Sequence, residues 1–315
     1  MIETGRVVAV VCAVVAMVGA SPAAAVGPGR AECVWSAELL PLPEGAFAGR
    51  VTGGAGDWLA GVADDQGVLW RHGRLVAAGR AFGSATELRA VNPDGIAVGS
   101  AAGTDGRPRA VRFDGAYEYL PAGGTSVAMD VNARGDAVGY DGAALVVWPL
   151  DGPARILAMP SGYAAYRQPI IDDDGTVVAR TGHIQNGKLR WQGFAWNPDG
   201  PRVPVELGDV RDMRDGFVVG AAGEDMVAAG WGLDGRPAKV FPGGTAAVAV
   251  GRDGVVVGAG RVGEPLLWNG STPVPLPSPA GYVPGSVTAM GDREAGGFVA
   301  PANDLGTFPV RWTCH

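Results

Sequence analysis

Apolar residues in this chain fall in short runs that are cut at near-regular intervals by Asp-Gly or Asn-Pro-Asp-Gly tips. The segment Ala90-Val91-Asn92-Pro93-Asp94-Gly95-Ile96-Ala97-Val98-Gly99 returns forty residues later as Asp130-Val131-Asn132-Ala133-Arg134-Gly135-Asp136-Ala137-Val138-Gly139. Further copies begin at Ile171, Met213 and Val250, and weaker ones surround Gly56 and Gly296. After each copy comes an apolar stretch closing on an aromatic: Trp70, Phe113, Trp148, Trp196, Trp231, Trp268 and Trp312. Such a unit reads as four short strands, a to d, in which the tip supplies the turn between a and b. A lone four-stranded sheet with apolar residues on both faces leaves one of them in water. Units of about forty residues therefore have to pack face to face and close into a ring.

Seven strands of type a are expected, near Arg50, Leu88, Met129, Pro169, Val210, Val248 and Thr288. The seventh unit ends at Trp312 without a strand d, while Glu38 to Pro43 matches the d strands of other units. The expected fold is all-β: a seven-bladed β-propeller of four-stranded antiparallel blades over residues 26–315, its last blade closed by residues 37–43.

The pattern Val-Asn-x-x-Gly-x-x-Val-Gly followed by an apolar strand to Trp resembles the bacterial extracellular HAF repeat, over roughly residues 45–313. The repeat's His-Ala-Phe signature is degraded here, its nearest matches being Arg109-Ala110-Val111 and Gly193-Phe194-Ala195-Trp196. The resemblance implies a propeller and carries over no catalytic residue.

The first 25 residues break the pattern. A weakly basic start, an apolar run from Val7 to Ala20 and small residues through Ala25 predict a cleaved secretion signal. The run is too short for a membrane span and ends at Pro22. No lipid anchor is indicated. Cleavage would remove Cys12 and leave Cys33 and Cys314, a pair expected to form one disulfide in an oxidising compartment.

Composition narrows the partners. Gly and Pro make up about a quarter of the chain, yet 47% of it is hydrophobic, which favours a folded, turn-rich protein over a disordered one. A net charge of -7 without any Lys or Arg run argues against nucleic acid and anionic membranes. Arg-rich, Lys-poor usage points to a GC-rich genome such as an actinobacterium's. The expectation is an extracellular monomer.

Candidate chemistry is sparse. The three His are His72, His183 and His315, with no nucleophile elbow, zinc-protease motif or phosphate-binding loop around them. Asp172-Asp173-Asp174-Gly175 offers oxygens suited to Ca²⁺, but it occupies the repeated turn, and neither metal nor cofactor is expected. Units that depart from the repeat are more informative, since loops on a rigid scaffold carry function. The fourth unit has the longest b-to-c loop, Arg180 to Trp191. Together with the d-to-a connections on the same face, it suggests a ligand site made of His183, Lys188, Arg190, Trp191, Tyr163, Tyr166, Arg107 and Arg109. Phe82 and Tyr282 belong to that face, with Asp64, Asp65, Glu224 and Asp225 across the ring. The favoured function is a secreted non-catalytic module binding or scaffolding a carbohydrate or peptide. The alternative is a secreted hydrolase or lyase that uses His183 with carboxylates of this face.

Overall fold

The computed structural model describes residues 33–315 except 160, 199–202, 206–207, 224, 234–238 and 303–305, and only the backbone of 163–167. The expected leader and Glu224 lie outside the described residues. Contacts group Val34–His315 into one compact unit. It consists of seven four-stranded antiparallel sheets, the predicted propeller. Six blades are consecutive meanders over residues 49–79, 86–119, 126–157, 163–205, 209–240 and 244–275. The seventh takes three strands from 282–314 and its fourth, Trp35–Leu39, from the other end of the chain, in register with Val310 to Cys314. The closing strand thus lies slightly ahead of the matched segment 37–43. Pro41 and Pro43 lack the N–H needed to extend the ladder. Cys33 and Cys314, at the margin of this closing pair, are disulfide-bonded. Among the described residues no helix is long and apolar enough to cross a membrane.

The repeated Val-Gly has a physical cause that the turn alone does not supply. Strand a of every blade breaks register at the same place, skipping Thr52, Arg89, Met129, Gln168-Pro169, Arg211, Val248 and Thr288 in turn. Opposite this bulge, strand b carries Gly61, Gly99, Gly139, Gly220, Gly258 and Gly297. A Cβ at any of them would overlap the carbonyl oxygen of the residue two before the bulge: Arg50, Glu87, Val127, Asp209, Ala246 or Ser286. Blade 4 is the exception. Its strand b has Ala179 there, and its strand a skips two residues between Arg167 and Ile170.

The tips fold as expected, with positive φ at Gly95, Gly135, Gly175, Gly216 and Gly254. Capping falls to the Asn three residues before the Gly: Asn92 Oδ1 accepts from Asp94 and Ile96 N–H, and Asn132 Oδ1 from Arg134 and Asp136 N–H. Asn92 and Asn132 also donate through Nδ2 to the carbonyls of Asn132 and Asp172 in the following blades.

In blades 1, 3, 4, 6 and 7 the tryptophan that ends strand c fastens the blade to the one before it. The indole N–H groups of Trp70, Trp148, Trp196, Trp268 and Trp312 donate to the carbonyls of Pro41, Pro121, Ala158, Pro242 and Pro277, at 2.6 to 3.1 Å. Every acceptor lies just beyond strand d of the preceding blade. Trp70, Trp148, Trp268 and Trp312 are fully buried, so the indole fills the gap between sheets while its one polar atom is satisfied. Pro41 takes this part for the closing blade.

Candidate functional site

Two kinds of loop share one face, as the meander requires. Asp64 in a b-to-c turn accepts from Phe47 and Ala48 N–H in the connection into blade 1. Asp65 pairs with Arg80 of the next d-to-a connection at 2.6 Å, and Asp141 accepts from Gly123 and Gly124 N–H.

The long fourth-unit loop is a regular hairpin. Strands Val177–Gln185 and Lys188–Trp196 pair without interruption to a turn at Asn186-Gly187, both with positive φ. Strand a of this blade, Tyr163–Ile171, follows them, setting Tyr163 opposite His183 and Tyr166 opposite Thr181. His183 in turn stands opposite Arg190. Lys188 and Arg190 are exposed, whereas Trp191 is partly covered, with the Arg180 guanidinium 5.8 Å from its ring centre. Arg107 and Arg109 belong to blade 2 and are not part of this cluster. Asp105 organises their turn, accepting from Arg107 N–H and standing 3.9 Å from Arg109. Phe82 stacks on Tyr119 at 4.2 Å on the margin of blades 1 and 2, and Tyr282 packs edge-on against Phe308.

The triple-Asp turn spends its carboxylates on backbone N–H groups of its own tip and of the next blade's tip. Asp172 accepts from the N–H groups of Asp173, Asp215 and Gly216, and Asp174 from Thr176. No cluster of metal-ligating side chains occurs among the described residues.

The central channel holds a cavity of about 420 Å³ lined by the seven a strands. A bulge re-aims the side chain it carries, and here every bulged residue lines the channel: Thr52, Arg89, Met129, Gln168, Pro169, Arg211, Val248 and Thr288. Two positions back, on the same side of the strand, stand Glu87 and Asp209 in blades 2 and 5. Each carboxylate holds two arginines. Glu87 binds Arg50 and Arg89, both at 2.8 Å, while Asp209 binds Arg180 at 3.2 Å and Arg211 at 2.7 Å. Arg180 links this second cluster to Trp191 of the hairpin.

One position past the bulge, Asp130 and Asp212 clasp neighbouring blades. Asp130 accepts from Ile171 N–H of blade 4 and Asp212 from Val250 N–H of blade 6. Both side chains are half-buried, with most of their surface covered by protein. Desolvation, opposed by these backbone bonds, pushes Asp130 up to about 7 and raises Asp212. Thr52 and Thr288 make the corresponding clasps from blades 1 and 7, donating to the carbonyls of Leu88 and Val51.

The sequence reading missed the channel clusters. Their signal was present as an acid-x-Arg pair opening strand a twice, Glu87-Leu88-Arg89 and Asp209-Val210-Arg211, because residues two apart share a strand face.

No protein-family model and no curated protein matches the chain. Among solved structures it is similar to virginiamycin B lyase from Staphylococcus aureus, at 10% identity and a TM-score of 0.57 over 89% of this chain and 99% of that one. It is also similar to the β-propeller domain of the Trilobed protease from Pyrococcus furiosus, at 15% identity and a TM-score of 0.55 over 84% and 95%. That domain is described as having an open velcro topology; here the N-terminal strand pairs with the last strand. At these identities the likeness establishes the propeller fold alone.

Proposed function

We propose that this protein is an exported, non-catalytic binding module, with residues 1–25 as its secretion signal and a carbohydrate or peptide ligand held on the face of the b-to-c and d-to-a connections. The observation that carries the reading is the fourth blade's hairpin. It lengthens the regular ladder well past the repeat, with Lys188 and Arg190 in solvent on one side and Leu189 and Trp191, the latter buttressed by Arg180, on the other. An aromatic ring backed by a held guanidinium, on a hairpin with exposed cations, suits the ring of a sugar or the backbone of a peptide. The disulfide fits an oxidising compartment.

Gly182 pairs with Trp191, so replacing residues 183–190 by Asn-Gly re-closes the hairpin on a two-residue turn. Wild-type protein applied to glycan and peptide arrays is expected to bind a discrete set of ligands, and the shortened protein to lose them while keeping its melting temperature. Binding that survives the deletion, or arrays that stay blank with wild-type protein, would refute the assignment.

A further inference from the structure

We propose that the half of the central channel nearer the b-to-c face is a binding site for a ligand carrying two carboxylates, gripped at opposite walls by Arg89 and Arg211. The site goes beyond the hairpin reading and needs no residue of the hairpin tip.

Its first support is placement. Strand a starts on the d-to-a face, so Arg50, Glu87 and Asp209 lie near that mouth, with the bulged Arg89 and Arg211 just inside it. Blades 2 and 5 are three steps apart in a ring of seven, which sets the two guanidinium groups on facing walls of the same cavity.

Charge and donor geometry supply the second. Each cluster joins two arginines to one carboxylate and so keeps one net positive charge: Arg50 and Arg89 on Glu87, Arg180 and Arg211 on Asp209. Arg89 and Arg211 each give one terminal nitrogen to the carboxylate two residues before them. The other terminal nitrogen of each meets no acceptor among the described residues, and each side chain is about a third exposed. Guanidinium groups held at one corner, with further donors uncommitted, are preorganised for a carboxylate.

The third is the treatment of competing acids. Asp130 and Asp212 stand one position deeper, but their oxygens are engaged by backbone N–H groups, Val131 and Ile171 for one, Met213 and Val250 for the other. Arg214, Asp172 and Asp173 line the far end, where acids outnumber bases. The field across the channel therefore favours an anion at the upper half. A volume of about 420 Å³ suits a small dicarboxylate or two residues of an acidic sugar chain.

Calorimetric titration of the full chain with glutarate, digalacturonate, acetate and inorganic phosphate tests the site, together with NMR of the ¹⁵N-labelled arginine Nε–H groups. A dicarboxylate is expected to bind at least about tenfold more tightly than acetate or phosphate and to shift the Nε–H resonances of Arg89 and Arg211. The better of glutarate and digalacturonate identifies a free acid or a sugar chain. Arg89→Gln and Arg211→Gln should each weaken binding about tenfold or more, and the exposed Arg252→Gln, at a tip on the opposite face, should leave it unchanged. Should a Gln variant fail to fold, the wild-type resonances decide. Unmoved Nε–H signals, phosphate or acetate bound as tightly as the dicarboxylates, or affinity retained by the double Gln variant would each overturn the proposal. Glutarate binding by the hairpin-shortened protein separates this site from the array ligands.

Discussion

Gly139 in strand b of blade 3 lies against the carbonyl oxygen of Val127 in strand a, closer than any Cβ permits. The contact exists because the bulge at Met129 pulls strand a toward its neighbour, and it recurs in six blades. Gly139→Ala should therefore lower stability by about 2 to 3 kcal/mol through overpacking against main chain that has no rotamer to yield. Ala179→Gly, the reverse change where blade 4 has no such approach, should cost only about 1 kcal/mol. Denaturant midpoints of the two variants check the contrast, and similar losses would contradict it.

Trp148→Phe keeps a ring between blades 2 and 3 but removes the donor that meets the Pro121 carbonyl at 2.7 Å. Blade 2 itself has Phe113 at the corresponding place, so the fold accepts the smaller ring. The expected loss is about 1 to 2 kcal/mol, from the lost hydrogen bond and the smaller ring between the sheets. Amide exchange should quicken first along the seam between these blades.

Burial gives the ring a pH dependence. Asp130 is pushed from 3.8 up to about 7 in the folded protein, and Asp212 moves in the same direction. A raised folded value means that the native state binds the proton more tightly than the unfolded chain does. The resulting stability is complete below about 4 and is lost as pH rises through 7. Between about pH 5 and pH 8 the Asp130 contribution should fall by roughly 3 kcal/mol. Asp130→Asn should flatten that part of the curve, and an unchanged profile in thermal melts would count against the assignment.

Reduction of the Cys33–Cys314 bond, or Cys33→Ser, should lower the melting temperature without removing the fold, because Trp35–Leu39 still pairs with the last strand. Loop entropy alone gives roughly 5 kcal/mol as an upper bound for so long a loop. Exchange should rise in blade 7 before the other blades.

What the sequence determined by itself was the architecture. Forty-residue self-similarity, glycine tips and a closing aromatic state local rules that each blade obeys separately, and a unit unable to bury both faces forces the ring. Even the missing seventh strand d was legible, since Glu38 to Pro43 copies the d strands elsewhere. The tertiary structure decided what faces the axis. Glu87 and Arg89, or Asp209 and Arg211, are ordinary charges on an edge-like strand until seven bulges turn their positions toward one channel. Arg50 and Arg180 join them only across blades, through contacts 37 and 29 residues apart in the chain. The long hairpin shows the converse: its extra length stood out in the sequence, but only strand pairing made it a regular extension of blade 4. Local pattern fixes strands and turns through short-range sterics and burial, whereas the chemistry of the axis depends on ring closure, which brings together side chains that no local spacing relates.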